Sequence, residues 1–223
     1  LDANVPLNDL TITGAAGAGL NANLGLVVSP LVLNGTLILD NTQSIFNSNN
    51  INVTIKGNMD NSGTYNFGTN TTTFNGGVQV ITGNSVTSFN NLNVLSTNSL
   101  TVNNDFSVNQ NLFIGSGTLI LGNKKVMLSG NLVNNGSYTD DNTSGGISFS
   151  GTTQQQITGT GAYGKLEINN NAGARLNNGI MLQNDLVLTH GLFDINSNLL
   201  TLSQNSNIIG VPGITRMIMS DGV

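Results

Sequence analysis

The sequence predicts an all-β protein, and specifically a β-solenoid wound as a right-handed parallel β-helix. Two observations support this fold class: apolar residues alternate in many short bursts, and one block of sequence recurs three times along the chain. The residue types agree with it, because β-branched residues and 39 Asn among 223 residues disfavour helices. Asn, Gly and Ser between the bursts are typical of tight turns.

The bursts have the period of two that places alternate side chains on one face of a strand. They are only three to five residues long, as in Leu92-x-Val94, Phe106-x-Val108, Leu112-x-Ile114 and Leu119-x-Leu121. The chain is therefore expected to form many very short strands rather than a few long ones.

The recurring block occupies residues 10–40, 92–122 and 166–196, and its copies align without gaps at shifts of 82 and 74 residues. One Gly is common to the three copies, at positions 35, 117 and 191. Each repeat is expected to form about three coils, giving about nine coils stacked over roughly 45 Å. The apolar columns that coincide include Leu10, Leu92 and Leu166; Ile12, Val94 and Ile168; Leu24, Phe106 and Ile180; Val32, Ile114 and Leu188; and Leu37, Leu119 and Phe193.

A second architecture fits the repeats less well. Each copy would then be a small immunoglobulin-like sandwich, but the bursts are shorter than sandwich strands and the chain has no Trp to fill such a core. Asn at stacked turns also favours a solenoid, because side-chain amides can form ladders from one coil to the next.

The domain organisation predicted from these repeats is one continuous solenoid over residues 1–210. The pattern fails after Asn205, so residues 211–223 are expected to be a junction to a following region. Neither end looks like the polar cap that a solenoid needs, and we expect the sequence to be an excerpt of a longer repetitive chain.

Composition excludes several classes of function. The chain has no Cys and one His, which leaves no thiol chemistry and no transition-metal ligand set. Six Lys and Arg with a net charge of −5 give no basic face for nucleic acid, and no apolar stretch is long enough for membrane insertion. We expect no cofactor and no enzymatic activity.

Acidic residues are few, and only Asp140 and Asp141 are adjacent. Paired carboxylates can act as general acid and base or bind Ca²⁺, so these two are the weak candidates for a catalytic or metal site. A solvated turn explains them more simply. Polygalacturonase-type β-helices follow such a pair with Gly-His-Gly and Arg-x-Lys, but here His190 follows Thr189 and no Arg-x-Lys exists. We therefore predict no catalytic residue and no metal site.

Polar, uncharged side chains dominate the expected surface. The amides and hydroxyls of Asn, Gln, Thr and Ser hydrogen-bond sugars well, which suggests a polysaccharide or a host or abiotic surface as partner. Tyr65, Tyr138 and Tyr163 either stack on sugar rings or cap columns of the core.

The segment FSGTTQQQITGTGAYGKLEINNNAGARLNNGIMLQNDLVLTHGLFDINSNLLTL resembles the repeats of large surface proteins of Bacteroidetes bacteria. Those repeats read F-x-G-(polar)-Q-x-I-x-G, then an aromatic residue, then L-x-I-N-N. The resemblance implies a secreted or cell-surface adhesin-like protein located outside the cell, and export through the type IX secretion machinery. It assigns no functional residues.

Two other functions remain open on the sequence. A β-helix polysaccharide lyase or hydrolase is one, and a fibre-forming, functional-amyloid-like subunit is the other.

Overall fold

The structure, a computed structural model, describes residues 1–15 and 21–221. All regular structure in these residues is β-strand, and the paired strands run parallel, so the solenoid prediction is confirmed and the sandwich alternative is wrong. Within the same two ranges, no helix is long and apolar enough to cross a membrane. The sequence GAAGAG at 14–19, whose small residues predict a turn, and Leu20, which aligns with Val102 and Leu176 as a further apolar column, lie largely outside the described residues.

The 29 strands are two to five residues long, and each coil contributes up to three of them. The first four coils contain β1 (Leu10–Ile12), β2 (Ala22–Gly25), β3 (Leu31–Leu33), β4 (Leu37–Leu39), β5 (Ser44–Asn47), β6 (Val53–Ile55), β7 (Met59–Asn61), β8 (Thr64–Asn66), β9 (Thr71–Phe74), β10 (Val78–Thr82), β11 (Thr87–Phe89) and β12 (Asn91–Val94). The next three contain β13 (Ser99–Val102), β14 (Phe106–Val108), β15 (Leu112–Ile114), β16 (Thr118–Gly122), β17 (Lys125–Leu128), β18 (Leu132–Asn134), β19 (Ser137–Asp140), β20 (Gly146–Phe149) and β21 (Gln155–Thr158). The last coils contain β22 (Leu166–Asn169), β23 (Ala174–Leu176), β24 (Ile180–Leu182), β25 (Leu186–His190), β26 (Phe193–Asp194), β27 (Leu200–Leu202), β28 (Ile208–Ile209) and β29 (Ile218–Met219).

These strands stack into three sides of a prism, because over most of the chain each strand pairs with the strand three places earlier in the sequence. The first side runs β1-β4-β7-β10-β13-β16-β19 and is continued by β24-β27 through bridges at Ala162 and Tyr163. The second side consists of β2-β5-β8 followed by β11-β14-β17-β20-β22-β25-β28. The third side, the longest sheet, runs from β3 through β6, β9, β12, β15, β18, β21, β23 and β26 to β29.

A coil contains fewer residues than the expected three coils per repeat would require. Leu100 pairs with Leu119 and Leu112 with Leu132, so successive coils differ by about 20 residues. The shift of 82 between Leu37 and Leu119 therefore spans four coils, from β4 through β7, β10 and β13 to β16, and the expected three coils per repeat is wrong. The reason is that strands of three residues with turns of a few residues close a coil quickly.

The sequence repeat also drifts around the prism. Leu10, Leu92 and Leu166 lie on the first, third and second side respectively, although they occupy one column of the alignment. Val32 is half-exposed, and its neighbours Leu31 and Leu33 are the buried residues of β3. The columns that begin with Leu24, Val32 and Leu37 keep their side in the second copy, but all of the columns named above move to another side between the second and third copies. The repeat therefore preserves the alternation of strands and turns more strictly than a place in the coil.

Inward side chains of all three sides form one continuous apolar core along the axis. Aromatic rings stack through part of it, with 5.6 Å between the ring centroids of Phe46 and Tyr65 and 5.9 Å between those of Phe89 and Phe106. Such contacts add to the burial energy of the rings and tie successive coils together.

The parallel stacking continues past residue 210, where the sequence analysis placed the end of the solenoid. Ile218 and Met219 of β29 pair with Phe193 and Asp194 of β26. Residues 218–219 of the expected junction thus supply the last strand of the third side.

Candidate functional site

The carboxylates of Asp140 and Asp141, the acidic pair singled out in the sequence, both accept hydrogen bonds from other groups of the protein. Asp140 accepts from Asn184 Nδ2 at 2.7 Å, from the Asn142 backbone N–H at 2.8 Å and from the Lys165 backbone N–H at 2.7 Å. These three donors come from three segments of chain, so Asp140 fastens neighbouring coils at the end of β19. These bonds use three of the roughly four acceptor positions of the carboxylate.

Asp141 lies in an exposed turn. It accepts hydrogen bonds from the Thr143 hydroxyl, and from the backbone N–H groups of Thr143 at 2.9 Å and Gly145 at 3.2 Å. These bonds stabilise the charged form and lower the pKa of Asp141 to about 2. A carboxylate held in this way is a turn-forming group, as the simpler interpretation of the sequence had it.

His190, the third group considered for catalysis, lies away from the acidic pair. It ends β25 on the second side, whereas Asp140 ends β19 on the first side. Its Nδ1 is 2.9 Å from Asn169 Oδ1. Among the described residues, no group of three or more His, Asp or Glu side chains is placed to hold a metal ion.

The three tyrosines point into the core, so the interpretation that they stack on sugar rings is wrong. Tyr138 and Tyr163 are fully buried, and Tyr65 is nearly so. Their hydroxyls bond inside the protein: Tyr65 with Thr72 Oγ1 at 2.8 Å and Tyr163 with the Thr158 carbonyl at 2.9 Å. Burial raises the pKa of all three.

Asn side chains form the ladders that the sequence predicted. On the second side, Asn47 Nδ2 donates to Asn23 Oδ1 at 2.5 Å, and Asn66 Nδ2 donates to Asn47 Oδ1 at 2.6 Å. At the corner between the second and third sides, the Oδ1 atoms of Asn91 and Asn111 each accept the backbone N–H one coil further on, at 3.1 Å. The ladders link consecutive coils.

A polar groove follows this same corner between the second and third sides, and we call it the corner groove. It consists of three adjoining cavities of about 360, 310 and 460 Å³. The first two share Gly151 and Thr152, and the last two share Asn171 and His190. The groove is lined by turns of six successive coils, at 109–111, 129–131, 150–153, 169–172, 190–191, and 213 with 215–216.

A charged patch lies on the second side, around a cavity of about 430 Å³. Lys125 Nζ is 2.9 Å from Glu167 Oε2, and Thr189 Oγ1 donates to Glu167 Oε1 at 2.8 Å. Burial raises the pKa of Glu167, but the hydrogen bonds from Lys125 and Thr189 and the charge of Lys125 outweigh it and leave that pKa below its ordinary value. Lys165 Nζ donates to the Thr143 carbonyl at 2.5 Å. The patch thus satisfies its own charges.

Two buried glutamines were missed by the sequence reasoning. Gln155 Nε2 donates to the carbonyls of Leu128, at 2.9 Å, and Gly130, while its Oε1 accepts from the Gly151 N–H at 2.8 Å. Gln79 makes the same contacts at the corner between the third and first sides, with the carbonyls of Ile55 and Gly57 and the N–H of Gly76. The repeated strings FNGGVQV and FSGTTQQQ carried the signal, since each places a Gln after a Phe-x-Gly turn.

In comparisons with models of known protein families, with curated proteins and with solved structures, the chain matches none.

Proposed function

We propose that the chain is a segment of a bacterial cell-surface or secreted adhesin-like protein, and that it presents an extended, nearly uncharged surface for adhesion or spacing. The observation that supports this most directly is the arrangement of polar groups. Asn, Thr and Gln side chains recur along the axis of a stacked prism about 43 Å long, at intervals of about 4.8 Å, instead of converging on one point.

The placement of the acidic groups also favours presentation of a surface over turnover. A glycosidase or lyase needs carboxylates poised on opposite sides of one bond. Here Asp140 is committed to three N–H donors, Asp141 forms a turn and His190 lies on another side. The resemblance to Bacteroidetes surface repeats supports the same proposal, including export by the type IX secretion machinery and a location outside the cell.

The first test is where the protein is found. Antibodies raised against the purified chain are expected to label intact, unpermeabilised cells or to detect the protein in the culture medium. Protease added to intact cells is expected to remove the label, with a cytoplasmic enzyme in the same cells as the protected control. Protein found only inside intact cells contradicts the proposal.

The second test addresses the enzymatic alternative. Purified chain incubated with pectic substrates and alginate is expected to release neither reducing ends nor unsaturated products. Release that is abolished by Asp141→Asn would replace the proposal with a lyase or hydrolase.

A fibre-forming subunit is the second candidate, and the Asn23–Asn47–Asn66 ladder favours it, because such ladders also stabilise cross-β fibres. Fibres that grow from purified monomer and bind thioflavin would support that candidate. A solution that stays monomeric over the same period supports the surface segment.

A further inference from the structure

The corner groove is long, straight and built on a fixed backbone. Its turns come from six successive coils, so it extends about 24 Å along the axis at a coil spacing of about 4.8 Å. Gly130 and Gly151 form part of its floor, where an added Cβ would lie 2.2 Å from the Gln110 carbonyl oxygen and 2.4 Å from that of Ser129. These close approaches of backbone to backbone leave the turns no room to shift.

Buried amides hold the floor from below. Asn170 donates through Nδ2 to the Thr153 carbonyl at 2.7 Å and to Gln155 Oε1 at 3.0 Å, and accepts the Ala172 N–H at 2.9 Å. Asn170 and Gln155 are both almost completely buried. The exposed groups above them are thus carried on a rigid base, which lowers the entropy lost when a ligand binds.

Several side chains in the groove have hydrogen-bonding capacity that the protein leaves unused. Gln110, Thr152 and Asn171 are exposed, and within the described part of the chain their side chains make no hydrogen bond. Asn131 uses only its Oδ1, which accepts the Gln156 backbone N–H at 2.8 Å. The groove therefore offers amide donors, amide acceptors and hydroxyls, spaced at successive coils.

The chemistry of these groups selects one class of ligand. Among the described residues, the lining contains no carboxylate, and its one formal charge is Arg216. Arg216 Nε donates to the Val211 carbonyl at 2.7 Å and its Nη1 donates to the Thr189 carbonyl at 3.2 Å. A chain with net charge −5 repels nucleic acids and anionic polymers. The groove also lacks the aromatic or aliphatic anchor that the centre of a protein interface uses. The uncharged amides and hydroxyls that line the groove are complementary to a hydroxyl-rich, uncharged polymer.

We propose that the corner groove binds a neutral polysaccharide lying along the solenoid axis, with successive sugar residues hydrogen-bonded to successive coils. This inference rests on the proposed function, since it names the partner of the adhesive surface. Because the tyrosines are in the core, no Phe, Tyr or Trp ring of the described residues lines the groove for stacking, and each sugar contributes mainly hydrogen bonds. Single sugars then bind weakly, and affinity grows with the number of residues engaged.

The test uses the whole 223-residue chain in native gels containing mixed-linkage β-glucan, glucomannan or xylan as neutral probes, and alginate or polygalacturonate as anionic ones. We expect retardation by at least one neutral polysaccharide, equal at low and high salt, and none by the anionic ones. Titration calorimetry with oligosaccharides of that polymer is expected to show affinity that rises with chain length.

The triple variant Gln110→Ala, Thr152→Ala, Asn171→Ala is expected to bind that polymer at least about eightfold more weakly, since each of the three hydrogen bonds is worth about two- to tenfold in affinity. The control is Asn84→Ala, Asn103→Ala, Thr139→Ala, three exposed polar residues outside the groove, and its affinity is expected to stay within twofold. Both variants are expected to unfold at the wild-type temperature.

Retardation by none of the neutral probes, retardation only by the anionic ones, or a triple variant that binds like the wild type overturns the inference. If surface labelling nevertheless succeeds, the proposed function stands and the segment is a spacer. If binding succeeds but the protein is confined inside the cell, the proposed function fails and the groove assignment stands.

Discussion

The buried amide of Gln155 makes the most direct test of how the coils hold together, through the substitution Gln155→Ala. The side chain is 1% exposed and spans two coils, binding the carbonyls of Leu128 and Gly130 on one and the N–H of Gly151 on the other. Alanine removes all of these contacts and leaves a void that the surrounding backbone cannot fill.

The magnitude follows from which groups are left without a partner. Leu128 O still accepts the Ser150 N–H at 2.8 Å, and Asn170 Nδ2 keeps its bond to the Thr153 carbonyl. The Gly130 carbonyl and the Gly151 N–H lose the partner that Gln155 supplied. The two groups are partly buried, and at about 1–3 kcal/mol for each group left without a partner the loss in the free energy of unfolding is about 2–6 kcal/mol.

Urea unfolding followed by far-ultraviolet circular dichroism measures this loss. With a slope of about 2–3 kcal/mol per molar urea, the midpoint is expected to fall by about 1 M or more. Gln154→Ala is the matched control, because Gln154 is the exposed neighbour and its loss is expected to cost under about 0.5 kcal/mol. Equal midpoints for the two variants would refute the reasoning.

Three further predictions concern single positions. Gly191→Ala is expected to lower the free energy of unfolding in urea by more than about 2 kcal/mol, since Gly191 has φ +84° and an added Cβ would lie 1.7 Å from the Asn170 carbonyl oxygen. Gly77→Ala is the control, because an added Cβ there has nothing within 4 Å. Equal losses for the two variants would contradict the steric argument. Phe89→Ala is expected to cost about 3–5 kcal/mol because its ring contacts those of Tyr65, Phe74 and Phe106, whereas half-buried Phe113→Ala is expected to cost clearly less; the reverse order of midpoints would refute this. Glu167→Gln is expected to lower stability at neutral pH, because a lowered pKa in the folded state stabilises the fold above the ordinary Glu pKa of about 4.3 and this contribution is lost as pH falls through the folded value. The urea midpoints of wild type and Glu167→Gln should therefore converge as the pH falls. A difference between the midpoints that grows as the pH falls would contradict the prediction.

The fold class was predictable because strand period and turn composition are local properties of the sequence. The number of residues in a coil was not, because Leu, Ile, Val and Phe occupy the inward positions of all three sides alike. Leu10, Leu92 and Leu166 look equivalent in sequence and yet lie on different sides, and nothing in their identity marks the side. The ambiguity of Tyr65, Tyr138 and Tyr163 has a similar origin, since a Tyr suits a core or a surface equally well until its neighbours are known.

The corner groove was hidden for the same reason. Gln110, Thr152 and Asn171 are far apart in sequence and become neighbours along one edge only when the coil length is known. The buried glutamines were within reach, because FNGGVQV and FSGTTQQQ repeat a Gln just after a Phe-x-Gly turn, where its side chain can bond to the backbone of that turn.

The high content of Asn overstates how much of the surface is available for binding. Asn23, Asn47 and Asn66 hydrogen-bond one another, Asn91 and Asn111 accept backbone N–H groups of the next coil, and Asn170 is buried. These amides make hydrogen bonds within the protein in place of the bonds that an isolated coil would make to water. They therefore stabilise the stack without adding charge. A ligand would be held by amides and hydroxyls that the stack leaves unused. In the described part of the chain, Gln110, Thr152 and Asn171 are such groups and they follow one edge over neighbouring coils, which is why the proposed groove is the first place to test for a ligand.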